Sequence, residues 1–186
     1  MKIFVSGGCK NGKSHHAQRL ARVQRTDSLH YIATMKPIDS EDEERILKHR
    51  REREGLGFTT IEQPVDIEKL LGKCGHDSSF LLDSLTALLA NEMFLPGGSV
   101  NERAAEKIEG GLLQILDSAE KIVVVSDYIY SDAHRFDALT EKYRKSLAKL
   151  DRVAAKACDV VLEVVCANVI VHKGKELYGW FHDKIL

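Results

Sequence analysis

The chain has 186 residues, of which 44% are hydrophobic and 30% charged, and its formal net charge is −1. That is enough apolar material to bury the core of one domain, which excludes global disorder. A charge so close to zero excludes binding to nucleic acid or an anionic membrane by bulk basicity, and no apolar run approaches the roughly 20 residues of a membrane span.

The residues lead us to expect a single cytoplasmic domain over 1–186. The first residues show no signal-peptide pattern, since MKIFV turns directly into a glycine loop. The four cysteines, Cys9, Cys74, Cys158 and Cys166, have no C-x-x-C spacing, so they read as reduced thiols.

In chain order, Lys2 to Ser6 reads as a short buried strand. His15 to Gln24 follows as a helix with Ala17, Leu20, Ala21 and Val23 on one side. Leu29 to Thr34 reads as a second strand. From Ser40 to Glu54 the chain is dense in charge. Ser40 with Glu43 has the pattern of a capping box, Ile46 and Leu47 supply the few core contacts, and Gly55 and Gly57 end the helix. Thr59 to Ile61 suggests a strand and Val65 to Leu71 a short helix. Ser79 to Asp83 is a buried strand ending in an acid, followed by a helix over Leu85 to Phe94 and a break at Pro96-Gly97-Gly98. Val100 to Ser118 reads as a long amphipathic helix, Lys121 to Ser126 as the strongest strand, and Asp137 to Cys158 as a helix. Asp159 to Val165 and Val169 to His172 close the chain as strands. Strands alternate with helices, and several are near-continuous Val/Ile/Leu runs. The expected fold class is α/β, P-loop NTPase-like, a mostly parallel sheet with helices on both faces.

Gly7-Gly8-Cys9-Lys10-Asn11-Gly12-Lys13-Ser14 matches G-x-x-x-x-G-K-S/T between a strand and a helix, the context a phosphate loop requires. The glycines let backbone N–H groups turn onto phosphate oxygens, and the start of the helix adds its positive end. Lys13 would reach the β- and γ-phosphates and Ser14 would hold Mg²⁺. A metal also calls for an acid at the end of a neighbouring buried strand, and two qualify: Asp83 and Asp127. Either could instead cap a helix. His15 and His16 read as helix surface and helix packing.

Four stretches together resemble the bifunctional adenosylcobinamide kinase / adenosylcobinamide-phosphate guanylyltransferase family. They are GGCKNGKSHHAQRL at the N-terminus, YIAT at 31–34 with RILKHR at 45–50, LLDSLTALLANEMF at 81–94, and YRKSLAKLDRVAAKACDVVLEVV at 143–165. The resemblance implies that His49 in RILKHR is the residue that carries GMP from GTP. An imidazole nitrogen can attack the α-phosphorus and expel pyrophosphate, and Lys48, Arg50, Arg51 and Arg53 could offset phosphate charge. Without the resemblance, a lone histidine in a charged helix reads as a solvated surface residue. The family likeness further implies ATP and GTP as substrates with Mg²⁺, catalytic roles for His49, Lys13 and Asp83, a corrinoid acceptor, and a homo-oligomer, possibly a trimer. The chain departs from the family pattern at Tyr128 and Tyr130 after the strong strand, at Ala148, Asp151 and Arg152 in the closing helix, and at Ala167. Two other readings therefore stay open: a P-loop kinase of another small alcohol, and a nucleotide-binding protein that does not turn over.

Overall fold

The computed structural model describes residues 1–37, 39–72 and 77–185. Cys74 lies outside them; Cys9, Cys158 and Cys166 are free thiols. The strands are β1 (Lys2–Gly7), β2 (Ser28–Ala33), β3 (Thr59–Glu62), β4 (Ser78–Asp83), β5 (Lys121–Asp127), β6 (Val160–Val165) and β7 (Asn168–Lys173). The helices are α1 (Lys13–Val23), α2 (Ser40–Arg53), α3 (Leu85–Met93), α4 (Ala104–Ser118), α5 (Ala138–Ala157) and α6 (Lys175–Ile185), with a 3-10 helix over Ile67–Gly72. The sheet runs β3-β2-β4-β5-β1-β6-β7. All neighbours are parallel except β6 and β7, which form an antiparallel hairpin.

Strand parity divides the core. On one face Ile3, Val5, Tyr31, Leu81, Val123 and Val125 pack under α1 and α6. On the other, Phe4, Ile32, Leu82, Ile122 and Val124 pack under α3, α4 and α5. Residues alternate between faces along a strand, so a central strand covered on both sides must have an unbroken apolar run, as β5 has from Ile122 to Val125.

Several boundaries differ from the sequence expectation for local reasons. Helix α1 starts two residues early, at Lys13, because Gly12 takes the left-handed conformation (φ 86°) and turns the chain straight from loop into helix. Helix α2 is capped by the Asp39 side chain, which accepts from the Asp42 backbone N–H at 2.9 Å, in place of a Ser40/Glu43 box. Leu47 is 49% exposed, so the expected core contact through it is absent. Val100 pairs with Phe94 in an isolated antiparallel bridge, which delays α4 to Ala104. The hairpin at Val165–Asn168 turns through Cys166 and Ala167, both at positive φ. The sequence pattern predicts no element beyond β7, and the structure adds α6 there. It follows Gly174 (φ 74°), where a Cβ would fall 2.5 Å from the Asp159 carbonyl oxygen. It buries Tyr178 and Phe181, a spacing of three that falls on one helical face.

Candidate active site

The carboxyl ends of β1, β4 and β5 meet the start of α1, and the expected loop residues from Gly7 to Ser14 lie at this end of the sheet with Asp83 and Asp127. Gly7 ends β1 with no room for a side chain: a Cβ would lie 2.6 Å from the Val164 carbonyl oxygen of β6. Lys10 and Gly12 both take positive φ, which curls the loop back over the strand end. Cys9 and Lys10 are exposed, Gly8, Asn11 and Ser14 half-buried. Asn11 is tied down through its carbonyl, which accepts from the Ala167 N–H at 3.3 Å.

Lys13 is buried. Its ammonium donates to the Gly8 carbonyl at 3.0 Å and is ion-paired with Asp127. A buried ammonium requires such partners, because its hydration has been stripped away. Asp127 thus has a function the sequence did not reveal, as counter-ion to Lys13. Its backbone N–H donates to Thr86 Oγ1 at 2.8 Å, which fixes the strand end against α3. Asp127 stands opposite Gly7 in the β1–β5 register, and Asp83 stands opposite Val125 in the β4–β5 register. The same parity that sends Val125 and Leu81 under α1 sends both acids to the α1 side.

Asp83 is not a helix cap. Ser84 caps α3, its hydroxyl accepting from the Ala87 N–H at 3.3 Å. The Asp83 carboxylate accepts at Oδ2 from the Tyr31 hydroxyl at 2.9 Å. Ser84 is held in turn by Thr34: its N–H donates to Thr34 Oγ1 at 2.7 Å, and the threonine hydroxyl donates to the Ser84 carbonyl at 2.8 Å. Asn91 Nδ2 donates to the carbonyls of Thr34 and Pro64, stapling the segments that leave β2 and β3.

Oxygen donors suited to a hard cation are therefore present in the Ser14 hydroxyl and the Asp83 carboxylate. Among the described residues no group of three or more His, Cys, Asp or Glu gathers into a cage of its own. Such a sparse set fits Mg²⁺, which takes one or two protein oxygens and completes its shell with water and phosphate.

His49 stands half-buried on α2, which the chain enters from the carboxyl end of β2. One turn further, Arg53 lies with its Cζ 3.6 Å from the centroid of the Tyr31 ring. The path from α2 to the phosphate end thus runs through Tyr31 to Asp83. Tyr31 belongs to the YIAT stretch, but nothing in the sequence pairs it with a residue 22 positions later or 52 positions later.

Two departures from the family pattern prove to be partners. Tyr130 donates its hydroxyl to Asp151 Oδ2 at 2.7 Å. Burial holds the Asp151 carboxyl up at about 6. Beyond this pair a cavity of about 500 Å³ is lined by Tyr130, Asp132, His134, Phe136, Arg144 and Ala148. The buried Arg144 shapes its wall, donating to the Ile129 carbonyl at 2.9 Å and pairing with Asp132 and Glu141, with Phe136 beneath the guanidinium.

Comparison with known proteins bears on what this site serves. The chain is similar to the bifunctional adenosylcobalamin biosynthesis protein CobU of Salmonella typhimurium, at 27% identity over 89% of this chain and 96% of the relative. It is similar to the corresponding protein CobP of Pseudomonas aeruginosa, at 28% identity over 95% of this chain and all of the relative. Among solved structures, the flagellar accessory protein FlaH from Methanocaldococcus jannaschii aligns with 92% of this chain and 77% of its own, at 12% identity and a TM-score of 0.49. The family model for cobinamide kinase / cobinamide phosphate guanyltransferase, CobU, matches residues 3–171, nearly the whole chain, and the protein belongs to that family.

Proposed function

We propose that the protein carries out both transfers for which the family is named: phosphorylation of adenosylcobinamide, then transfer of GMP from GTP to the new phosphate. The observation that carries the reading is the gathering of Lys13, Asp127 and Asp83 on the α1 side of the sheet, in a chain matched to this family over residues 3–171. In the kinase step the amides from Gly8 to Ser14 receive the phosphates, and Lys13 exchanges Asp127 for the β- and γ-oxygens. Mg²⁺, when bound by Ser14 and Asp83, supplies neutralisation of charge on those oxygens, with Asp127 as a further acid at its edge. The hydroxyl of the aminopropanol arm gives up its proton to water and forms the new O–P bond as the nucleoside diphosphate leaves.

In the guanylyl step His49 is the nucleophile. A ring nitrogen bonds to the α-phosphorus and pyrophosphate departs. An oxygen of cobinamide phosphate then displaces the imidazole, which returns to its starting state. Dividing the transfer in this way needs a nucleophile that becomes a good leaving group, and imidazole is both. The loop 128–137 and its cavity, with the Tyr130–Asp151 pair, are assigned to the acceptor side. The protein is further proposed to be a cytoplasmic homo-oligomer, on the family likeness alone.

The test uses GTP labelled at the α-phosphate. After denaturation the wild-type chain is expected to hold an acid-labile, alkali-stable label, and His49→Ala to hold none. A wild-type chain that binds nucleotide and retains no label would remove the guanylyl half, and phosphate transfer from ATP to cobinamide would then be assayed by itself.

A further inference from the structure

Helix α2 is held to the body of the protein in a peculiar way. Its apolar positions are few: Ile46 is half-buried and Leu47 half exposed, and among its described residues Arg53 is the only one that is buried. The ion pair between Arg50 and Glu62 also ties it, with both side chains half or more in solvent, where such pairs contribute little.

Arg53 is 7% exposed and stacks on Tyr31, while its Nε and Nη1 are buried without a hydrogen-bond partner among the described residues. Among the described residues it is the Tyr31 ring face, rather than acceptors at Nε and Nη1, that receives this cation. A guanidinium is planar and weakly hydrated and can rest on an aromatic face in this way; an ammonium is compact and strongly hydrated and cannot do so equally well. The ring is itself fixed, through its hydroxyl to Asp83 and through an edge contact with Phe58 at 6.0 Å. His49 precedes Arg53 by four residues, so the two lie on one side of the helix, about 6 Å apart along its axis.

We propose that Arg53 is the positioning residue for His49: by seating the last turn of α2 on Tyr31, it fixes the imidazole relative to the phosphate end of the sheet. This rests on the reading that His49 carries GMP. Nucleophilic attack needs the reacting atoms at about 3–3.5 Å, and a displacement of about 1 Å can cost a factor of about 10². Binding of ATP at the loop needs no such placement of α2.

Three readouts test it: the rate of label transfer from α-labelled GTP to the protein, the affinity for MgATP, and the melting temperature. Arg53→Met keeps the length and the apolar stem. It is expected to slow labelling by about 30-fold or more while MgATP affinity stays within about threefold. Arg53→Lys keeps the charge and guards against a methionine variant that does not fold; labelling is expected to fall about tenfold, again with MgATP affinity held. Labelling at the wild-type rate in either variant overturns the proposal, as does a loss of MgATP affinity that matches the loss of labelling. A wild-type chain that takes no label removes the guanylyl reading and this inference with it, whereas label on the wild type that survives Arg53→Met removes this inference alone.

Discussion

Replacing Asp151 with asparagine should stabilise the protein, and by an amount that depends on pH. Asp151 is 4% exposed, and burial raises its carboxyl from 3.8 to about 6; the hydroxyls of Ser126 and Tyr130 offset part of that rise, and the charge on Asp127 adds to it. The folded state therefore holds the proton more tightly than the unfolded chain. Stability is lost as pH rises from the unfolded value through the folded one and is level above it. A difference of about two units corresponds to about 3 kcal/mol at pH 8 and about half of that at pH 5. Asparagine carries no charge to desolvate. Its oxygen can accept from Tyr130, and its amide can donate toward Ser126 Oγ. Urea unfolding of both proteins at pH 5, 6.5 and 8 measures the effect. The expected result is a gain for Asp151→Asn that grows with pH, by about 1.5 kcal/mol between pH 5 and 8. A gain that does not change with pH, or a net loss at pH 8, would refute the assignment of a burial-strained carboxylate.

Gly7→Ala should cost about 2 kcal/mol or more in thermal or urea unfolding, because its Cβ would meet backbone, the Val164 carbonyl, at 2.6 Å and cannot push it aside cheaply. Lys13→Met should weaken MgATP binding by about 30-fold or more in calorimetry while the chain stays folded, since the lost ammonium is replaced by a stem of similar length. Lys107→Met should cost about 3 kcal/mol at pH 7 in urea unfolding, because it leaves the 5%-exposed Glu92 carboxylate without its ion pair. Asp66, which hydrogen bonds to Lys107 and Lys69 hold down at about 2, contributes stability above its usual titration range that is lost as pH drops through about 4 to 2. Acid unfolding of the wild type and of Asp66→Asn should therefore converge at low pH.

The phosphate loop and the strands around it were legible because their signals are local. Apolar runs such as IVVV in β5 mark strands covered on both faces, and Gly-x-x-x-x-Gly-Lys-Ser sits between a strand and a helix whose ends it fixes. Asp83 and Asp127 stand out in the sequence as acids at strand ends, and parity determines the face on which both lie. Arg53 was not legible in a structural role. A run such as SEDEERILKHRRERE reads as solvated, and the one side chain in it that goes inside does so onto Tyr31, 22 residues upstream, a contact that has no period. The Tyr130–Asp151 pair was invisible for the same reason, each residue looking like a separate oddity until the fold set them 2.7 Å apart. Helix α6 is hard to read from the sequence because it follows directly on an edge strand and carries a glycine, Gly179, in its middle.

The strand order has one more consequence. Because β5 lies between β1 and β4, the loop that ends β1 and the acid that ends β4 are two strand spacings apart, about 9.5 Å. The sheet acts here as a ruler. Its hydrogen bonds fix that interval regardless of what the side chains above it do, and Lys13 already leans to the middle mark, Asp127. A change in the length of any side chain at this edge leaves the ruler intact, but a slip in the register of β5 would move its middle mark and misalign the three ends together.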